Sequence, residues 1–529
     1  MEEEFLSPSS RDSISSESPL LMPPSFTMAG TDREDDASGI LSPDIQTAGE
    51  DSRPKRISDE RARAIVRRID GHIMPLLFLT YMFNFMDKTI LSSASVFGLR
   101  EDNHLKGDDY AWVSSVFYFG YLLWTYPTSV LVARLSVARY LALNTLFWGV
   151  VVALTATCSS FGGLVAVRFF LGVAEATVSP ALMFITSTWY TRDEIPVRTG
   201  IWFAGNSAGG IASSLFAYGV GHIHGGAGAW RWMFVILGVL TFILGIFLLF
   251  LLPDSISSAK FLSEEEDERQ WAMDRVVVTG LGRTEKTVWR WEQTRECLVD
   301  PKTWLVWSIA LLCQIPNGGT QNFANLVLTS FGFTPLQSTL INIPYSLVSI
   351  AAIAGSGYLA SGLSRSLHCA LVALVVTPPV VGSALIASNR GRGVALLGYF
   401  LLATGPAALP LLLSLVQANF RGVTKKMTMT ALLFVAYCAG NIAGPHLFIA
   451  HEAPAYDTAF RAILVCYSLV VGLSGALRAY LQYTNHRRQR REGSAGASGA
   501  GEVDRAVQLR PEDYEDVTDW KTFGFRYRL

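Results

Sequence analysis

Apolar stretches of roughly 20 residues recur along the 529-residue chain, each about long enough as a helix to cross a 30 Å hydrocarbon core. Spans are expected near 72–92, 111–131, 141–160, 162–184, 200–221 and 232–252, and again near 303–323, 338–359, 367–388, 394–416, 427–449 and 459–481. In hydrocarbon every backbone N–H and C=O must be paired internally, so segments of this length can only be helices. Charge follows the same division. Of 87 Asp, Glu, Lys and Arg residues, 60 lie in 1–70, 254–302 and 484–529. A soluble domain is about one quarter charged throughout, so a soluble enzyme of this size is excluded.

The expected organisation is an all-α integral membrane protein of 12 transmembrane helices in two six-helix halves. Residues 1–70 form a disordered and then basic tail, 71–253 the first half, 254–302 a connector, 303–483 the second half and 484–529 a C-terminal tail. Lys and Arg set the orientation. The segments on the side of the termini carry 27 basic residues near the spans, while the opposite loops carry five, Arg100, Lys106, Arg231, Arg390 and Arg392. Both termini are therefore expected in the cytoplasm, with the plasma membrane as the site and a monomer as the working unit. A net charge of −1 gives no basic surface for nucleic acid.

Polar groups inside a bilayer are costly, so they pair with one another or line a wet path. Span 1 holds Tyr81, Asn84, Asp87 and Lys88; Tyr81, Asn84 and Lys88 share a helix face. One reading has Asp87 and Lys88 neutralise each other. The other has Lys88 attract an anion while Asp87 tunes it. Span 4 places Arg168 and Glu175 seven residues apart on one face, about 10 Å along the axis, too far for a direct bridge. They either tie span 4 to span 1, or Arg168 binds a carboxylate as a fork and Glu175 exchanges a proton, a role that burial of a carboxyl group favours.

Gln314, Asn317, Gln321 and Asn325 form a polar stripe on span 7. Pro316 and Gly318–Gly319 are expected to break that helix and free carbonyls, unless the stripe is an interhelical hydrogen-bond seam. Asn206 in span 5, with Tyr437 and Asn441 in span 11, would complete a lining from both halves. Tyr118 and Tyr121 share a face of span 2 and either pack or wall a pocket. Gly440 and Gly444 read as a close helix contact, and Pro378–Pro379 as an interruption of span 9. The run Glu264–Glu268 reads as the start of a solvated helix capped by Ser263. There is no Ser-His-Asp set, metal cluster or dinucleotide fingerprint, hence no expected cofactor or catalytic activity.

Several local motifs narrow the class. They are Phe85-Met-Asp-Lys-Thr-Ile-Leu-Ser, Tyr110-Ala-Trp-Val-Ser-Ser-Val-Phe-Tyr-Phe-Gly-Tyr, Arg168-Phe-Phe-Leu-Gly-Val-Ala-Glu, Trp189-Tyr-Thr-Arg-Asp-Glu, Ile315-Pro-Asn-Gly-Gly and the terminal Asp516-Val-Thr-Asp-Trp-Lys-Thr-Phe-Gly-Phe-Arg-Tyr. Together with the 6+6 layout they resemble the major facilitator superfamily and, within it, the fungal allantoate permease group of anion:cation symporters. The resemblance implies proton-coupled uptake of a small organic anion such as a carboxylate, ureide or vitamin, with Lys88, Arg168 and Glu175 at the anion and coupling positions. Lys88 stands where many relatives carry Arg. An exporter of a secondary metabolite and a non-transporting sensor remain the alternatives.

Overall fold

The computed structural model describes residues 59–191, 194–223, 228–262, 268–278, 289–362, 367–388, 391–496, 516–522 and 524–529. The expected disordered tail before 59, and Ser263 with the acidic residues up to 267, lie outside them. In chain order the helices begin with α1 (Asp59–Val96), α2 (Leu99–Asp102), α3 (Asp109–Arg134), α4 (Val137–Thr155), α5 (Phe161–Glu175), α6 (Val178–Trp189), α7 (Ile195–Phe203), α8 (Gly205–Val220) and α9 (Ala229–Leu251). The connector holds α10 (Glu268–Val278) and α11 (Trp291–Val299). Then come α12 (Pro301–Ser330), α13 (Pro335–Gly362), α14 (His368–Ala387), α15 (Arg392–Leu402), α16 (Ala408–Asn419), α17 (Val423–Ala443) and α18 (Asp457–Gly496). No strand occurs among the described residues.

Eight helical stretches are long and apolar enough to cross a membrane, among them Val137–Thr155, Phe161–Trp189, Ala229–Leu251 and Val423–Leu447. α1, α3, α12 and the pair α7–α8 have similar length but carry many of the polar residues singled out above. Each of them takes part in a contact across the molecule: α1 packs on α12, α3 on α17 and α8 on α13. Within the first group α4 packs on α9, α3 on α5 and α1 on α8; within the second, α14 packs on α18 and α12 on α17.

The proline expectations need correction. α14 runs unbroken through Pro378 and Pro379, and α12 through Pro316 and both following glycines. A proline in a membrane helix is tolerated when a neighbour satisfies the carbonyl it frees. Pro379 leaves the Val375 carbonyl without its usual N–H donor, and the Thr404 hydroxyl of the neighbouring segment donates to it at 2.7 Å. Farther along α12, Thr320 and Asn322 donate to the Pro316 and Gly318 carbonyls of their own helix, both at 2.8 Å, neither being the Leu312 carbonyl that Pro316 frees. Gly318 and Gly319 instead allow close packing: a Cβ on Gly318 would lie 2.6 Å from Asn441 Cα, and one on Gly319 2.9 Å from the Gly444 oxygen. On the facing helix, a Cβ on Gly444 would lie 2.2 Å from the Ile315 oxygen, as the close-contact reading requires.

The connector divides its attachments. Glu268, expected in a solvated run, is buried and accepts from Arg68 at 2.8 Å, which fixes α10 to α1. α11 lies against α17. Residues 516–522 and 524–529 fold back beside it, where Asp519 bridges Lys302 and Lys425, the latter at 2.9 Å, and accepts from the Tyr527 hydroxyl at 2.6 Å.

Candidate substrate-binding site

α1 places Asn84 and Lys88 one turn apart on one face, and the end of α5 brings Glu175 to them. Asn84 Nδ2 donates to Glu175 Oε2 at 2.8 Å, and Lys88 Nζ donates to Asn84 Oδ1 at 3.0 Å. The ammonium also stands 3.4 Å from that carboxylate oxygen. Glu175 is fully buried, whereas the Lys88 side chain keeps 14% of its surface, so the lysine is the member of the trio that a solute can reach. Its Nζ lies 5.4 Å from the Tyr121 ring centre and 5.7 Å from that of Phe117, a spacing at which the aromatic faces favour a cation.

Asp87 points elsewhere. Consecutive helical residues are about 100° apart around the axis, so Asp87 cannot follow Lys88 to the same partner. The expected Asp87–Lys88 neutralisation gives way to a Glu175–Lys88 pair. Asp87 is buried with the Trp148 indole beside it, and neither of its carboxylate oxygens makes a well-aligned hydrogen bond with a described residue. Its charged surroundings are Glu175, Arg168 and Lys88. Arg168 is also buried; its guanidinium lies 5.7 Å from the Phe234 ring centre, with Nε and Nη2 unpaired among the described residues. Arg168 and Glu175 thus meet different partners, as their spacing requires.

The amide stripe on α12 closes largely on itself. Asn317 Nδ2 donates to Gln314 Oε1 at 3.3 Å and to Asn441 Oδ1 at 3.2 Å, and Asn441 Nδ2 donates to Gln314 Oε1 at 3.2 Å. Gln314, Asn317 and Asn441 therefore form a seam between α12 and α17. Asn325 joins the other helix group instead: its backbone N–H donates to Ser92 Oγ at 3.0 Å and its side chain lies 3.1 Å from Ser93 Oγ. Gln321 is the remaining member, and its Nε2 has no partner among the described residues.

Around Lys88, aromatic rings from both helix groups pack together. Tyr118 and Tyr437 have ring centres 6.0 Å apart, and Tyr121 stacks on Phe434 at 5.4 Å. Tyr81 packs against Trp202 and Phe203. Asn206 is half-buried at the start of α8, and its side chain makes no hydrogen bond with a described residue. The sequence reading missed Ser179, which neighbours the hydroxyls of both Tyr81 and Tyr121. Its position four residues after Glu175, on the same helical face, was the available signal. Phe434 lacked a signal, since a phenylalanine in an apolar helix says nothing about its neighbour.

Beyond this level the two groups meet at the end away from the connector. Tyr110 donates to the Asn322 carbonyl and Ser115 to the Ile442 carbonyl, both at 2.8 Å, and Trp112 packs on His446 at 4.8 Å. Among the described residues, no hydrogen bond, ion pair or ring contact joins the groups nearer the connector end than Tyr121 and Phe434.

The sequence and the fold match those of known proteins. The family model described as Major Facilitator Superfamily matches residues 77–445. The chain is 33% identical over 499 residues to the allantoate permease of Saccharomyces cerevisiae, covering 91% of this chain and 89% of the permease. It is 31% identical over 474 residues to an uncharacterized transporter of Schizosaccharomyces pombe, covering 89% and 88%. Its fold resembles the inward-facing, unoccupied crystal structure of a bacterial homologue of the human lysosomal transporter Spinster, with a TM-score of 0.58 and 14% identity over 77% of this chain and 96% of that one. The chain is an integral multi-pass membrane transporter rather than an enzyme, and it belongs to the allantoate permease group of the major facilitator superfamily.

Proposed function

We propose that this transporter carries a small organic anion into the cell together with a proton, by alternating access of two six-helix halves, 71–253 and 303–483, around a central site. Twelve helices would span the plasma membrane with both termini cytoplasmic, and in that orientation the ends joined away from the connector would be the outer ones and the conformation inward-facing. The reading is carried by the Asn84–Lys88–Glu175 trio, a reachable cation held by one buried carboxylate. The permease relative, whose name specifies a carboxylate, supports the anion class.

An anion arriving at Lys88 competes with Glu175 for the ammonium. A carboxylate left without its counter-charge in a membrane interior is costly, so displacement and protonation of Glu175 favour each other. Anion and proton then bind as linked events, and each raises the affinity for the other. Asp87, also buried, is the second carboxyl group a proton would neutralise. Arg168 contributes positive potential beneath the pair. Tyr81, Tyr118, Tyr121 and Tyr437 would wall the ligand, with Gln321 and Asn206 as its amide contacts.

The test is transport in proteoliposomes over a panel of labelled ureides, vitamins and small carboxylates. For an anion that is taken up, Glu175→Gln should retain exchange of label across the membrane but lose accumulation driven by an inward proton gradient. Accumulation unchanged in Glu175→Gln overturns the coupling role. A panel carried equally well by Lys88→Ala overturns the anion site.

A further inference from the structure

A cavity of about 430 Å³ opens at the connector end of the first helix group, away from the Lys88 site. It lies between the start of α1, the passage from α6 into α7, and α10 of the connector. Its wall holds four arginines, Arg63, Arg67, Arg198 and Arg275, against two carboxylates, Asp70 and Glu194, with Trp271 as an aromatic face.

Both carboxylates are engaged within the wall. Asp70 accepts two bonds from Arg198, Nε to Oδ1 at 3.2 Å and Nη2 to Oδ2 at 2.9 Å. Glu194 accepts from Arg275 Nη1 at 3.2 Å and from the Thr191 backbone N–H at 3.1 Å. Arg275 also donates to the Trp189 carbonyl at 3.2 Å and stands 5.4 Å from the Trp271 ring centre. Arg63 and Arg67 remain. They sit one turn apart on α1, are exposed, and form no ion pair or hydrogen bond with a described residue.

The described wall therefore carries two positive charges in excess of its acids, along an open groove of about 430 Å³. Two guanidinium forks a turn apart match a doubly charged tetrahedral oxyanion better than a single flat carboxylate, because each fork can take two oxygens. The volume leaves room for a polar body behind the anion, against Trp271. We infer that this cavity binds a phosphate monoester, with Arg63 and Arg67 holding the phosphate group. The same chemistry serves a phospholipid headgroup and a soluble phosphate ester. Because the wall joins α1 to α10, an occupant braces the connector against the first helix group, alongside the Arg68–Glu268 pair.

Binding is measured on the full-length purified protein in detergent by native mass spectrometry and thermal shift. The probes are dioctanoyl phosphatidic acid and glycerol 3-phosphate, with dioctanoyl phosphatidylcholine as the diester control. Saturable binding of phosphatidic acid alone identifies a lipid headgroup site; saturable binding of glycerol 3-phosphate identifies a soluble-ligand site. In either case the Arg63→Gln/Arg67→Gln variant should bind about tenfold more weakly or worse, with its ligand-free melting temperature unchanged because both side chains are exposed and unpaired. Saturable binding of neither monoester, equal binding by the double variant, or equal binding of the diester control overturns the site.

Discussion

Lys88 has three uses for one charge: it donates to Asn84, stands 3.4 Å from Glu175 and lies over two aromatic rings. Replacing it with Met keeps the length and removes the charge, leaving Glu175 buried with only Asn84 as donor. The apparent affinity for the anion should fall about tenfold or more, measured as the concentration giving half-maximal exchange. An unchanged value would place the anion elsewhere. A second residue-scale prediction concerns stability alone. Thr404→Val removes the hydroxyl that serves the Val375 carbonyl, a loss of about 1 kcal/mol. Hydrogen exchange should quicken around Pro379 in α14 while transport kinetics hold. The sequence showed Asn84, Lys88 and Glu175 as polar residues where apolar ones belong. It could not show that Lys88 answers to Glu175, because the pairing is between residues 87 positions apart that share no local pattern.

Helices in this protein approach closely where side chains are absent. A Cβ on Gly172 of α5 would lie 2.0 Å from the Phe117 carbonyl oxygen of α3, and one on Gly120 of α3 would lie 2.2 Å from the Phe169 oxygen. The contact is backbone against backbone, so nothing flexible can yield. Gly172→Val should cost at least about 1–3 kcal/mol and lower the yield of folded protein, visible in the melting temperature and in fluorescence size-exclusion. The C-terminal segment makes a different kind of contact. Asp519 is fully buried; burial raises its pKa, but the Lys302 and Lys425 ammoniums outweigh that and hold it below the ordinary value of 3.8. A depressed carboxyl pKa stabilises the fold above the unfolded-state value and loses that contribution as pH falls through the folded one. Docking of residues 516–522 and 524–529 should therefore be intact at neutral pH and loosen only below about pH 3.8. Asp519→Asn leaves Lys302 paired with Asp300 at 2.9 Å and Lys425 with Glu296 at 2.6 Å, so what is lost is the charged link from the tail to both lysines, and the fold should destabilise by about 1.5–3 kcal/mol. A melting temperature equal to the parent's would show that the tail is not part of the folded second group.

Across the whole molecule the inter-group contacts follow a symmetry. Matching the expected spans in order, α1 corresponds to α12, α3 to α13 and α8 to α17. The contacts α1–α12, α3–α17 and α8–α13 then map onto themselves when the groups exchange, the arrangement of a parallel repeat about an axis along the membrane normal. On the proposed alternating-access reading, rocking opens the contacts at one end and closes the other. Ser92 and Asn325 sit in that closed end, with the Asn325 N–H 3.0 Å from Ser92 Oγ. A Ser92→Cys/Asn325→Cys pair, oxidised, should abolish net transport while leaving the Lys88 site open to solute from the connector side; reduction should restore transport. The described native cysteines are all buried, which keeps their background reaction low. Transport that persists after complete crosslinking would mean the groups do not part there.

The amino-acid sequence by itself determined the environment, the helical class and the family, because a hydrocarbon solvent permits few backbone solutions and leaves the rest of the chain to carry the charge. It also indicated which spans are polar, and α1, α3, α8, α12 and α17 among them meet between the groups. What it could not determine was direction around each helix axis relative to a distant neighbour. Tertiary structure therefore decided that Lys88 pairs with Glu175 and not with Asp87. It also decided that Gln314, Asn317 and Asn441 satisfy one another, and that Thr404 keeps a proline helix whole. Local spacing fixes which residues share a face; only packing fixes what that face meets.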